Sequence, residues 1–357
     1  MSKIRIGHIG WLSRDEGPQV ETVAWCDLNK EKLQRATEKH PDIEMYTDYR
    51  EMARRADLDA VVISTPNDVH AEQCIAFLEA GADVFLEKPM GINREEFDDI
   101  LRTVRETGRR LTVDFEMRVS PFARRVKELI DGGEYGELRR MEVIHHRGGW
   151  KEEGGGMWRV RPERSGGHVL MEPIHEIDIM RYFAGREVES VQNIAGPSVL
   201  DHYRFPDNMC IHLFFEEEVL GTILASHTAS AYFEGEPTPE RMDANGHDFY
   251  MIFTLTGASL WVDFLRCRIL VNEIEEYPEG TGGKHVVQDR REIHCDGDLG
   301  EFAHDIGAMR KEFIRRCAED RPPVQDAVDA WKTHVVSLTA EESAQDGKRM
   351  EIDYTTP

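Results

Sequence analysis

Lysine, paired cysteines, long apolar runs and net positive charge are all scarce in this sequence. Only 11 of its 44 basic residues are lysine, against 68 acidic residues, and the formal net charge is −24. Phosphate backbones are held by clustered Lys and Arg, so the balance argues against nucleic-acid binding. It fits either a high-salt environment, where self-repulsion is screened, or an acidic genomic bias. The six cysteines (26, 74, 210, 267, 295 and 317) form no C-x-x-C pair. That opposes a disulfide scaffold or a zinc ribbon and points to a reducing interior. No apolar run is long enough for a membrane span, and Met1–Arg5 has no signal-peptide character. A soluble, cytoplasmic protein with no membrane partner is expected.

A chain of 357 residues suggests two domains. Lys3–Ile9, Val20–Cys26, Asp57–Thr65, Val84–Leu86 and Leu111–Phe115 read as strands, with helical patterns at Asn29–Lys39, His70–Ala80 and Arg94–Thr107. This alternation predicts right-handed crossovers and a doubly wound parallel sheet over residues 1–120. From 121 to 357 the texture changes. After a helix at Phe122–Asp131 come strands with polar alternation at 191–194, 209–215, 220–227, 248–256 and 259–262. These predict an α+β domain with a large, mostly antiparallel open sheet. The stretch Glu273–Gly282 reads as an exposed loop, and Glu301–Glu319 and Val324–Ser343 as closing helices that pack back on the first domain.

The stretch Asp83-Val84-Phe85-Leu86-Glu87-Lys88-Pro89-Met90 is the centre of the reading. An apolar strand there runs into a charged pair and is stopped by proline. Lys88 is therefore set at a strand's carboxyl end, where ligands of open α/β sheets bind.

Glycine is missing where a dinucleotide loop needs it. A G-x-G-x-x-G turn lets the backbone approach a pyrophosphate at a helix N-terminus. Counting from Gly10, the second and third positions are Leu12 and Asp15, and Trp11 stands between Gly10 and Leu12. Gly17-Pro18 interrupts the segment before the second strand, so the first crossover helix is expected to be short or absent. Asp27 closes that strand. It is read either as the ribose-binding acid, favouring NAD over NADP, or as a cap for the following helix.

With these residues in place, the chain resembles the glucose–fructose oxidoreductase/inositol dehydrogenase (Gfo/Idh/MocA) family along nearly its whole length. The resemblance is carried by Glu87-Lys88-Pro89, Ser64-Thr65-Pro66-Asn67-Asp68-Val69-His70, Arg118-Val119-Ser120-Pro121, the segment from Trp158-Arg159 to Gly166-Gly167, and His175-Glu176-Ile177-Asp178. It departs from the family at the D-x-G positions before the histidine, where Met171 and Pro173 stand. The resemblance implies an NAD(P)-dependent oxidoreductase that transfers a hydride between nicotinamide and a sugar- or cyclitol-like polyol. It implies that Lys88 polarises the reacting oxygen and that His175 exchanges the hydroxyl proton, a task that suits imidazole as a side-chain type. The cofactor set is then Gly10, Trp11, Asp27, Thr65, Pro66, Asn67, His70, Glu87 and Lys88. The substrate set is Glu116, Trp158, Arg159 and Glu172. A homodimer or homotetramer formed through the large sheet is expected by resemblance.

Two rival readings keep the fold. In one, NAD is held tightly within a lyase, epimerase or glycosidase cycle. In the other, the chain is a non-catalytic sugar or partner-binding sensor or subunit. His145, His146 and His168 lack metal-ligand spacing, so no metal is expected. The glycine run 154–156 is read as a loop over the pocket, with Gly148-Gly149-Trp150 beside it.

Overall fold

The computed structural model describes residues 3–12, 17–147, 156–227, 247–264, 266–276, 285–294 and 305–357. Its first half alternates strand and helix: β1 (Ile4–Gly10), β2 (Val20–Cys26), α1 (Lys30–Lys39), β3 (Glu44–Tyr46), α2 (Tyr49–Arg55), β4 (Ala60–Ser64), α3 (His70–Glu79), β5 (Asp83–Leu86), α4 (Arg94–Thr107) and β6 (Leu111–Val113). The strands pair in the order β3-β2-β1-β4-β5-β6, all parallel. The direction of winding reverses between β1 and β4, and that switch point is where a ligand crevice forms. Nine residues separate β1 from β2, fewer than the dozen or so that a helical crossover takes, and no helix stands there among the described residues. The glycine run 148–150 and 154–155 lies outside the described residues.

The second half runs α5 (Pro121–Asp131), β7 (Leu138–Arg147), the single turns α6 (Pro162–Ser165) and α7 (His168–Met171), α8 (Ile174–Ala184), β8 (Val188–Ala195), β9 (Asn208–Phe215), β10 (Leu220–Ser226), β11 (His247–Leu255), β12 (Ala258–Asp263), β13 (Arg268–Glu276), β14 (His285–His294), α9 (Ile306–Ala318), α10 (Ala327–Ser343) and β15 (Met350–Glu351). Nine strands form one sheet, ordered β14-β13-β12-β11-β7-β10-β9-β8-β15 and antiparallel except where β7 meets β10. Its inner face packs on α5 and α8 through Met141, Val143, Ile211, Leu213, Ile223, Met251 and Phe253. The loop expected from Glu273 is instead strand as far as Glu276. The acids of β13 sit near an open sheet edge, where charge is tolerated and deters further pairing. Residues 277–282 of that stretch lie outside the described residues.

The first sheet is covered on both faces, which explains why β4 and β5 read as unbroken apolar runs. Val61, Ile63, Val84 and Leu86 face α3 and α4, meeting Phe77, Leu78, Phe97 and Ile100. The opposite residues Ile6, Ala60, Val62 and Phe85 are covered by Met309, Phe313, Ile314 and Cys317 of α9. A helix from late in the chain thus forms one layer of the first sheet, and Trp331 of α10 enters the core on the other side.

Two local constraints fix the sheet beside the crevice. Gly10 has φ +86°, and a Cβ there would sit 2.3 Å from the Ser64 carbonyl oxygen, so β1 can approach β4 only as glycine. Arg118, in the turn after β6, donates to both Asp178 oxygens at 2.7 Å and to Asp329 at 2.6 Å, tying α8 and α10 to the first sheet. Gln325 and Thr333 also donate to Asp178. Truncating one member of a buried charge network strands its partners, at about 3–5 kcal/mol. Arg118→Ala should therefore lower stability by an amount in that range in denaturant melts. A loss under 1 kcal/mol would show that the network does not hold the two halves together.

Candidate active site

The carboxyl ends of β1, β4 and β5 open into a cleft of about 770 Å³. Lys88 follows β5 directly, and the ladder continues past the strand's end, since Glu87 N–H donates to Ile63 O at 3.0 Å. Pro89 after it is cis. The Lys88 ammonium lines the cleft and donates to the carbonyl of Met171, the last residue of α7. One turn further on, His175 enters the same cleft from the first turn of α8, its Nδ1 lying 3.6 Å from Glu116 Oε2. Glu116 is buried in the turn after β6, two residues before Arg118. Trp11, Thr65, Asn67, Glu87, Trp158, Arg159 and Glu172 also line this cleft.

The wall beyond β4 is pinned to the second half by side chains of the Ser64–His70 segment. Asn67 donates to the Ser165 carbonyl at 2.8 Å and contacts Met171 Sδ at 3.1 Å. Arg164 holds Asp68 with two bonds, at 2.8 and 3.0 Å. Thr65 Oγ1 donates to Gln73 at 2.7 Å, while Pro66 opens the 3-10 turn Asn67–Val69. Gly166-Gly167 allows the close approach of α10. A Cβ on Gly167, at φ +108°, would meet the Glu341 carboxyl at 2.3 Å.

Other sequence-chosen residues fall outside the cleft lining. His70 is fully buried, its two ring nitrogens 2.6 Å from Pro89 O and 2.8 Å from Thr65 O. It braces the two strand-end loops against each other, and burial holds its pKa below the ordinary value. Asp27 is bound to Lys32, and its other oxygen accepts Asn29 N–H at 2.9 Å. The cap of α1 is Asn29, whose side chain accepts from Lys32 N–H, so the alternative role of Asp27 as that cap falls away.

Sequence reasoning missed Asp114 and Arg310, which also line the cleft. Asp114 immediately follows β6 and was accessible by the strand-end argument that singled out Lys88. Arg310 lies on α9 and carries no local signal. Asp114 is almost fully buried and hydrogen-bonds Glu87. Burial, with Glu87 and Glu116 adding like charge, pushes its carboxyl well above the usual range, and burial raises Glu87 as well. Behind Glu172, burial would raise Glu176, but His145 at 2.7 Å holds it below its ordinary value. Burial pushes His168 down to about 4, beside His227 at 3.0 Å. No group of residues with metal-ligand geometry occurs among the described residues.

These features define a two-part fold with a ligand cleft at the switch point of a Rossmann-type sheet, and the comparisons say to which family it belongs. The family described as "Oxidoreductase family, NAD-binding Rossmann fold" matches residues 7–115, and the GFO/IDH/MocA C-terminal domain matches residues 123–248. The NAD⁺-dependent scyllo-inositol 2-dehydrogenase of Bacillus subtilis is 30% identical over 303 residues, covering 83% of this chain and 78% of that protein. The chain belongs to the Gfo/Idh/MocA oxidoreductase family. A 2,7-anhydro-N-acetylneuraminate hydratase of Mediterraneibacter gnavus is 31% identical over 186 residues, covering 52% of this chain. That match spans about half of the hydratase's length (48%), as does the match to the uncharacterized oxidoreductase YrbE of Bacillus subtilis (53%). A levoglucosan dehydrogenase solved with NADH and L-sorbose shares the fold at TM-score 0.79 and 17% identity, covering 99% of this chain and all of that one.

Burial raises Glu341 of α10 to about 7, against the pull of the N–H groups of Val169 and His168. Because the folded value lies above the ordinary 4.5, stability is full below pH 4.5 and is lost as pH rises through about 7. Glu341→Gln should flatten that fall in chemical denaturation between pH 4.5 and 7. An unchanged slope would contradict the assignment.

Proposed function

We propose that the protein is an NAD-dependent oxidoreductase acting on a CH–OH carbon of an uncharged sugar- or cyclitol-like polyol. The observation that carries the reading is the convergence of Lys88 and His175 on one cleft at the sheet's switch point. The residues suit a dinucleotide. Gly10 lets the end of β1 lie close against Ser64 beside the cleft, and Thr65, Asn67 and Glu87 offer polar groups within it. When bound, the nicotinamide supplies the hydride acceptor or donor. Lys88 directs its ammonium at the reacting oxygen and stabilises the negative charge that grows there. His175 takes or returns the hydroxyl proton, with Glu116 holding the ring from behind.

The lining favours a neutral substrate. Glu87, Asp114, Glu116 and Glu172 face Lys88, Arg159 and Arg310, which leaves no surplus of positive charge for a substrate phosphate. Carboxylates and a guanidinium bind vicinal hydroxyls by accepting from some and donating to others. Trp158, stacked 4.7 Å from the Arg159 guanidinium, offers a flat apolar surface to a ring. The rival readings are not favoured, since a relative that matches 83% of the chain is an NAD⁺-dependent dehydrogenase.

A second copy of the chain covers the outer face of the large sheet in this reading. That face exposes Ile194, Leu224 and Trp261, at 48, 42 and 50%. Isolated exposed apolar side chains are ordinary, but three spread across β8, β10 and β12 on one sheet face suit a broad interface. Trp261→Glu combined with Leu224→Glu should convert the oligomer to monomer in light scattering. A wild-type monomer would remove the interface.

Lys88→Ala tests the chemistry. Turnover with NAD⁺ and a cyclitol panel should fall by at least about a thousandfold, while the melting temperature stays near wild type. An unaffected rate would sink the assignment.

A further inference from the structure

A pyrophosphate in a Rossmann-type site is normally met by backbone N–H groups and the dipole of the helix that follows β1. Here no such helix stands between β1 and β2 among the described residues. At that place lies the side chain of Lys32, reaching back from the first turn of α1. Its ammonium donates to the Gly10 carbonyl at 3.0 Å, pairs with Asp27 and lies 4.9 Å from the centre of the Trp25 ring. The side chain remains 41% exposed, so it is fixed but still open to a ligand.

Lys32 also borders a second cavity, of about 380 Å³, with Arg35, Lys39, Trp25 and Trp11. The three basic residues stand at i, i+3 and i+7 and so share one face of α1. In a chain with 11 lysines and a net charge of −24, their convergence reverses the local sign. Trp11 lines both this cavity and the cleft of Lys88. An extended ligand whose reacting end lies at Lys88 can therefore pass Trp11 and bring an anionic centre to Lys32.

We propose that Lys32, assisted by Arg35, does the work of a helix N-terminus after β1 and grips the pyrophosphate of the dinucleotide. The inference rests on the cofactor reading above. Gly10 and Asp27 hold the ammonium in place before the ligand arrives, so little side-chain entropy is lost on binding. A grip made by point charges is screened by salt more strongly than one made by buried backbone groups.

The test is calorimetric titration of the full-length protein with NADH and with ADP-ribose, which carries the pyrophosphate and no nicotinamide. Lys32→Met should weaken both by about tenfold, the loss of one charge-assisted hydrogen bond, and reduce the salt dependence of binding. Lys32→Arg should recover most of the affinity. If Lys32→Met melts early, the exposed Arg35→Ala serves in its place, with an expected loss of about threefold. Equal ADP-ribose affinity in wild type and both variants would overturn the inference and leave the cofactor reading standing. A wild-type protein that binds neither ligand would overturn both.

Discussion

The ion-pair network of Arg118 with Asp178 and Asp329 is the constraint on which the site depends. Arg118 leaves the first sheet just after Glu116, and Asp178 lies three residues beyond His175 on α8. Because i and i+3 share a helix face, locking Asp178 to Arg118 also sets where the His175 ring enters the cleft, against Glu116. Arg118 and Asp178 are nearly fully buried. Burial would raise the Asp329 carboxyl, but Arg118 and Arg181 hold it below its ordinary value. The order His-x-x-Asp therefore joins a residue at the cleft to one that fixes its position.

Acidic groups crowd the cleft wall around Lys88. Glu87 and Asp114 share a hydrogen bond there, with Asp114 pushed well up by burial and by its acidic neighbours and Glu87 raised by burial as well. Lys88 lines the same cleft beside them. Arg310 reaches in from α9, the helix that also covers β1, β4 and β5. One late helix thus completes both the core and the pocket.

Much of this was legible in the sequence because local patterns carry it. The unbroken apolar runs of β4 and β5, the limits of α4, and Lys88 at a strand end follow from period and punctuation. His175 was reached by family motif. What escaped depends on long-range placement. Nothing near Arg310 in sequence signals its approach to Asp114, and no pattern distinguishes Lys32 from other exposed helix lysines. His70 fits the motif with Thr65 and Asn67, yet it braces two loops from within the core. The short segment between β1 and β2 was visible as a missing glycine pattern, but the contact of Lys32 with the Gly10 carbonyl was not.

The central claim is that hydride leaves the substrate for a cofactor that carries it away. The direct measurement is mass spectrometry of products formed from a cyclitol deuterated at its carbinol carbons, with NAD⁺ in excess. The account predicts one deuterium in the released reduced cofactor and a ketone product. Deuterium retained in or returned to the product, with the cofactor unlabelled, would contradict it.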